Sequence, residues 1–411
     1  MNPAPNPSGP HGAGPNPHRQ PHGAKPTLNS SGAEPAHHPS SPKPTRPFCI
    51  VCTTIRSVDV FLQRYFANLQ AFGHLHETTL VLVMDRKTPS SVVSQCQSYL
   101  ARGLDARALT LEAQAEFLRP YGRLAPLIPL DSDNRRNVGY LYAYAGGSQT
   151  IISVDDDNFP LESDDFIAGH AACGTRQELP VLSSESRWLN VLADAQTDNG
   201  TLLYPRGFPR SRRSASLPRA QNQSVSICAN LGLWLQDPDV DAASRIENPA
   251  CIIGYNPPAS RALALRTFSP INSQNTSVSR RALAAYYFIP QGQVVDGEKI
   301  DRYGDIWQGF FLKACADAMG EHVLFGPPLC RHERNAHDLQ KDLQQERPAV
   351  RCTEELAAFL EQVKLEGRTY SQCYADLADK LAAHFAASPY AALFSSISKS
   401  MKVWASYFEE E

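Results

Sequence analysis

Three consecutive aspartates, Asp155, Asp156 and Asp157, follow the apolar run Ile151-Ile152-Ser153-Val154 and precede Asn158, Phe159 and Pro160. An apolar run with β-branched residues reads as a buried strand. Carboxylates crowded at its end repel one another, and leaving them unpaired in the interior is costly. A hard divalent cation removes that cost, because Mg²⁺ or Mn²⁺ takes oxygen ligands and bridges carboxylates to a diphosphate. The triplet therefore reads in one of two ways: a metal-holding strand end able to anchor a nucleotide diphosphate, or a solvated acidic turn.

Further residues invite the same weighing. Asp85 ends the apolar run Thr79–Met84. It either accepts hydrogen bonds from a ribose or base, or helps cap the helix that follows Thr88 and Ser90. Arg135 and Arg136 open a helix, where two cations meet the positive end of the helix dipole. A phosphate would offset that penalty through the planar guanidinium fork; the alternative is a solvated helix start. Tyr204-Pro205-Arg206-Gly207-Phe208-Pro209 is a rigid cationic loop suited to an anion, or plain surface. The stretch from Phe268 to Thr276, with Gln274 and Asn275, concentrates neutral donors and acceptors. That composition fits sugar hydroxyls, or a polar turn. Asp305 stands at a helix start beside Trp307, as an N-cap or as a general base near an acceptor hydroxyl. His332, with His337 in the same stretch, offers a late metal ligand or a diphosphate contact, against a structural or solvated role.

Ordered elements must carry these residues to one place. Phe48–Thr54 reads as a strand, 59–71 as a helix, 79–84 as a strand and 91–101 as a helix. A polar patch, Asp131–Asn137, opens a helix at about Val138 that stops at Gly146-Gly147, and the strand at 151–154 follows. Such alternation predicts a mainly parallel sheet with helices on both faces. Ligands bind beyond the carboxyl ends of such strands, which gathers Thr53, Thr54, Asp85 and the triplet at one edge. From 180 to 300 the elements look short, and the stretch from Arg206 to Arg219 is basic. A helix is predicted over 305–319, then the apolar run Val323-Leu324-Phe325 and a turn at Gly326-Pro327-Pro328. Helical periodicity from Glu354 to Ala387 predicts a carboxyl-terminal helical pair.

Composition sets the class. The chain has 411 residues, 42% of them apolar, and a net charge of −3. That balance gives no global electrostatic case for nucleic acid or an anionic membrane. Ten scattered cysteines lack the spacing of a disulfide scaffold. Cys49 and Cys52 form a CxxC, but on a strand their side chains face opposite sides, so a structural role is expected. No apolar stretch is long enough to span a bilayer and no signal-peptide plan is present, so a soluble cytoplasmic protein is expected. Residues 1–46 are rich in Pro, Gly, Ser, Asn and His and are expected to be disordered.

Taken together, Thr53-Thr54-Ile55, Asp85-Arg86-Lys87-Thr88-Pro89, Arg135-Arg136-Asn137-Val138-Gly139-Tyr140-Leu141 and Asp155-Asp156-Asp157-Asn158 resemble the nucleotide-binding half of STELLO-type glycosyltransferases. The likeness continues through Tyr204–Pro209, Asp237–Ala242 and Ser273–Thr276, and ends near Asp305 and His332. More distantly, Thr54-Ile55-Arg56-Ser57, the Asp triplet, Arg206–Pro209, Gly232–Leu235 and Arg302–Gly309 are similar to plant UDP-arabinopyranose mutases, the reversibly glycosylated polypeptides. Both resemblances imply a GT-A fold: α/β, with a mostly parallel mixed sheet flanked by helices. They imply a catalytic domain over 47–345, divided into a nucleotide-binding half (47–160) and an acceptor or sugar half (161–345). A carboxyl-terminal helical extension over 346–411 completes the expected layout.

The resemblance also implies a UDP-sugar donor and Mn²⁺ or Mg²⁺ bound through Asp155 and Asp157, with His332 as third contact. Thr53, Thr54, Asp85, Arg135, Arg136, Asn137, Asp155, Asp156, Gln274 and Asn275 become the expected nucleotide-sugar contacts. Arg206 and Arg213 match mutase arginines linked to function and self-glycosylation, and Asp305 is the candidate base. The expected activity is metal-dependent transfer of a sugar to a glycan or other acceptor. The alternatives are a nucleotide-sugar mutase and a non-catalytic binding protein on the same fold. STELLO proteins are membrane-anchored whereas this chain shows no anchor. Relative to the mutases, Gly304 replaces an acidic residue and the segment from Asp85 to Asn134 is longer.

Overall fold

Short runs of Val, Ile and Leu in the amino-terminal part pair as parallel strands. In the computed structural model, which describes residues 46–213, 217–336 and 338–408, β1 (Phe48–Thr54) lies between β2 (Thr78–Met84) and β4 (Thr150–Asp155). Outside β2 lies β3 (Asp105–Leu109). The chain therefore reverses its direction of travel across the sheet between β1 and β4, and that reversal opens a crevice at their carboxyl ends. Helices α1 (Asp59–Ala71), α2 (Ser91–Leu100), α3 (Leu111–Phe117) and α4 (Arg136–Ala145) connect these strands. The tail expected to be disordered lies outside the described residues up to position 45, and so does His337.

Beyond β4 the sheet turns mixed. Strand Asn275–Ser279 pairs antiparallel with β4 and carries the sheet to the 18-residue strand Arg219–Gln236. That strand pairs antiparallel with Arg176–Ser183 and parallel with His322–His332. Among the described residues the whole is a mixed α/β sheet of 12 strands, with helices on its faces and at its carboxyl-terminal end. Side chains alternate along β1: Cys49 and Val51 enter one apolar cluster, Ile50 and Cys52 the other. The two cysteines of the CxxC thus sit on opposite faces, as their spacing requires. All ten cysteines are free. Among the described residues no helix is long and apolar enough to cross a membrane.

Three local readings change. Gly326-Pro327-Pro328 is not a chain-reversing turn; it lies inside strand His322–His332, whose pairing slips between Gly326 and Cys330. Prolines are tolerated there because the slip suspends the ladder hydrogen bonds that they cannot donate. The carboxyl-terminal segment forms three helices, Leu339–Leu360, Tyr370–His384 and Ala391–Ala405, not a pair starting at Glu354. The third buries Trp404 against Tyr287, ring centroids 5.3 Å apart, and Phe394 against Trp307 at 5.9 Å. The long strand Arg219–Gln236 escaped sequence reading because its Asn, Ser and Gln residues mask the β pattern. Its first six residues are exposed and only the rest enter the core.

Helix α4 lies close against the sheet. A Cβ placed on Gly139 would stand 2.3 Å from Val51 Cγ1 and 2.8 Å from Val83 Cγ2. β-branched neighbours fixed in a sheet have little room to yield. Gly139→Leu is expected to destabilise the protein by about 1–3 kcal/mol through overpacking, measured as a lowered urea midpoint at unchanged m-value. An unchanged midpoint would show that α4 can lift off the sheet.

Candidate active site

The carboxyl ends of β1 and β4, the amino-terminal end of α4 and the start of helix Gly304–Ala318 surround a cavity of about 600 Å³. Thr53, Thr54, Asp85, Arg135, Arg136, the Asp triplet, Arg206, Gln274, Asp305 and His332 all border it. Residues separated by up to 279 positions in the chain thus meet at the edge predicted from strand alternation. What each can do depends on the partners it already has.

Arg136 is buried and its donors are spent inside the protein. It reaches Thr53 Oγ1 at 2.9 Å, Ser273 O at 2.9 Å, Ser273 Oγ at 2.8 Å and Asp155 Oδ1 at 2.5 Å. Arg136 ties β1 to β4 and to the chain just before strand Asn275–Ser279, and it is no free phosphate clamp. Burial pushes the Asp155 carboxyl up to about 6, with Arg136 opposing and Asp157 adding to the rise. Asp155 still opens 30% of its side chain, so it faces the cavity from within the low-dielectric body of the protein. Asp156 accepts from Thr54 Oγ1 at 2.7 Å. Burial raises its carboxyl above the usual range, partly countered by that bond.

Asp157 and His332 face each other, Oδ1 to Nε2, at 3.6 Å. Burial opposes charge on both, yet their mutual attraction outweighs it: Asp157 is held below the usual carboxylate range and His332 above its usual value. His332 Nδ1 lies 2.8 Å from the carbonyl of Asp237, to which it donates, so Nε2 is the nitrogen turned to the carboxylate. Such a nitrogen must carry a proton or share a cation with Asp157. One imidazole nitrogen and one carboxylate suit Mn²⁺ better than Mg²⁺, which prefers oxygen. Asp155 does not complete the expected trio, because Arg136 holds its Oδ1. Among the described residues no group of three or more His, Cys, Asp or Glu side chains is arranged to hold a metal ion. The residues fit a two-ligand site whose remaining oxygens would come from a diphosphate and water.

Arg206 is a strut. Its Nε and Nη2 donate to Asp239 at 2.8 and 3.3 Å, and its Nη1 and Nη2 to Asp305 at 3.3 and 2.8 Å. Nη1 also donates to the Arg302 carbonyl, so all five N–H groups are engaged. Burial opposes the charge on Asp239, but Arg206 wins and draws its carboxyl down to about 2. Gly207, at φ +85°, lets the loop approach closely, for a Cβ there would stand 2.4 Å from Ile306 Cγ2. The expectation that Arg206 binds an anion is corrected: two carboxylates already neutralise it. Asp305 is neither N-cap nor free base, since both its oxygens accept from Arg206.

Four other expected contacts are structural. Arg135 borders the cavity, but its guanidinium donates inward to Ile128 O at 3.1 Å and to Gln114 Oε1. Asn137 is fully buried and bridges the backbone of Phe288, 2.9 Å to both O and N. Asn275 spans Pro328 O at 3.0 Å and His170 Nε2 at 2.9 Å, away from the cavity. Arg213 also stands off the cavity, paired with Asp241 at 3.2 Å and lying over the Tyr204 ring at 4.8 Å. Asp85 both borders the cavity and braces its loop, accepting from Arg86 N at 2.8 Å and Ser132 N at 3.3 Å. Gln274 borders the cavity, and its Oε1 is buried without a hydrogen-bond partner. Sequence reasoning passed over Asp239, although it stands in the Asp237–Ala242 motif. It also passed over Arg56 and Lys87, exposed cations at the cavity mouth that both fall within the motifs carrying the resemblance.

Comparison with known proteins adds a family. The model described as "Reversibly glycosylated polypeptide" matches residues 49–411. UDP-arabinopyranose mutase 1 of Arabidopsis thaliana is 26% identical over 366 residues, 88% of this chain and 92% of that protein. UDP-arabinopyranose mutase 3 of the same plant is 27% identical over 367 residues, 88% of this chain and 90% of that one. UDP-arabinopyranose mutase 1 of Oryza sativa subsp. japonica is 24% identical over 348 residues, 84% and 85%. A solved glucosyl-3-phosphoglycerate synthase of M. tuberculosis aligns at 11% identity over 75% of this chain and 80% of that one, with a TM-score of 0.36, a likeness too slight to bear on function. Of the two families that the sequence resembles, the mutases are the one matched by the family model.

Removing the strut would leave two carboxylates, Asp239 and Asp305, buried without their counter-charge. Arg206→Met is expected to cost about 3–5 kcal/mol of folding stability, and Arg206→Lys most of that, because one ammonium cannot bridge two forks. Chemical denaturation of both variants reads this out; wild-type midpoints would contradict the assignment.

Proposed function

Because this chain belongs to the reversibly glycosylated polypeptide family, we propose that it is a nucleotide-sugar mutase acting on a UDP-linked pyranose. The observation that carries this reading is the extent of the match, which takes in 88% of the chain and 92% of a UDP-arabinopyranose mutase. The base expected for transfer to a separate acceptor, Asp305, has both oxygens taken up by Arg206. A mutase rearranges one sugar within one cavity and needs no acceptor.

Changing a pyranose into a furanose changes which hydroxyl closes on the anomeric carbon. The bond from that carbon to the diphosphate must break and form again. The released diphosphate must be stabilised and kept in place, chiefly by electrostatics. Arg56 and Lys87 at the cavity mouth supply cations for it, and Asp157 with His332 would hold Mn²⁺ or Mg²⁺ beside it. When bound, the metal would neutralise charge on the leaving diphosphate. Thr54 and Asp156 brace the triplet, and Gln274 stands in the cavity wall beside them. Arg136 and Arg206 keep the walls in register.

Incubation with UDP-arabinopyranose and Mn²⁺, without any acceptor, is expected to yield the furanose form, resolved by chromatography. Product that forms only when an acceptor is added would instead establish a transferase. Asp157→Asn is expected to lower turnover by on the order of 100-fold with the fold intact by circular dichroism; full activity in this variant would remove the metal from the scheme.

A further inference from the structure

Nine aspartates border the cavity. Eight of them accept a hydrogen bond or an ion pair from a neighbour. Asp133 has no such partner among the described residues, although it stands in the same wall. Its backbone is nevertheless fixed. Asn134 N donates to Ser132 Oγ at 3.3 Å, Asn134 Nδ2 donates to Phe288 O, and Arg135 and Arg136 are anchored in the interior. An exposed carboxylate with no partner, carried on an anchored turn in the cavity wall, stays open to a ligand. The field at Asp133 comes from both sides of the cavity. Asp133 is itself exposed at the cavity wall, yet the protein surrounding it raises its carboxyl above the usual range, with Arg136 opposing and Asp305 and Asp301 adding to the rise. Asp133 thus shares one cavity with the Asp triplet and the start of helix Gly304–Ala318, within which a sugar attached to a diphosphate near Asp157 would lie.

We propose that Asp133 carries the proton in the sugar rearrangement, taking it from the attacking hydroxyl and returning it to the ring oxygen. The inference rests on the mutase reading. The bond between C1 and the diphosphate oxygen breaks, and its electron pair leaves with the diphosphate. O4 then bonds to C1 while its proton passes to the Asp133 carboxylate, giving a neutral bicyclic acetal. Next the C1–O5 bond breaks, O5 takes the proton back from Asp133, and the diphosphate oxygen bonds again to C1. One proton leaves O4, one arrives at O5, and the carboxylate ends as it began. No oxidant, reductant or second substrate is consumed. A carboxyl group with a raised affinity for its proton suits both halves of the cycle.

The test compares wild type, Asp133→Asn and Asp133→Glu with UDP-arabinopyranose and Mn²⁺. It follows pyranose–furanose interconversion by chromatography and UDP binding by calorimetry. Asp133→Asn is expected to keep the wild-type Kd for UDP and to lose about 100-fold or more in interconversion rate, with Asp133→Glu recovering part of the loss. An Asp133→Asn enzyme that interconverts the two forms at the wild-type rate overturns the assignment and leaves the mutase reading standing. So does an affinity for UDP that falls in step with the rate, since Asp133 would then be a binding residue. A wild-type protein that binds UDP but gives no furanose overturns the mutase reading, and the role of Asp133 falls with it.

Discussion

Crowded negative charge around one cavity is the constraint on which this structure turns. Carboxylates within a few ångströms of each other in a low-dielectric setting cannot all stay ionised unless donors meet them. Two arginines answer for three of these carboxylates. Arg136 fastens Asp155 to the ends of β1 and β4, and Arg206 fastens Asp239 to Asp305. His332 answers for Asp157. These pairings knit together elements far apart in the chain, so the cavity walls and the electrostatics of the site are the same set of contacts. Buried ion pairs of this kind add little net stability compared with apolar packing, but breaking one is severe. Their evident service here is to fix geometry.

The same constraint separates struts from tools. An arginine whose five donors are satisfied has nothing left for a phosphate, however well its sequence context suits one. The groups still open to a ligand are fewer: the exposed cations Arg56 and Lys87, the facing pair Asp157 and His332, and the unpaired carboxyl of Asp133. Together they offer both signs of charge and an imidazole around one cavity.

How much of this was legible in the sequence follows from what hydrophobic periodicity can report. The runs that form β1, β2 and β4 are short, apolar and β-branched, so the strands and the rim at their ends could be placed. Long-range pairing leaves no local trace. Nothing in the residues around Arg206 says that Asp239 and Asp305 will close on it, so a cationic loop looked like an anion site. Asn137 and Asn275 looked like ligand contacts because buried amides that bridge backbone groups have the same composition as amides that bind sugars. Arg219–Gln236 was hidden by polar residues on its exposed stretch, and the Pro-Pro step by a slip in register. Motif resemblance pointed to two families that share a fold, and only the extent of the family match separates them.

The most direct test of the account is a crystal structure of the protein with UDP and Mn²⁺. The account predicts the metal between Asp157 and His332, the diphosphate turned toward Arg56 and Lys87, and Arg136 and Arg206 still joined to their aspartates. A diphosphate seated on Arg206, with the bonds to Asp239 and Asp305 broken, or a nucleotide bound anywhere outside this cavity, would contradict it.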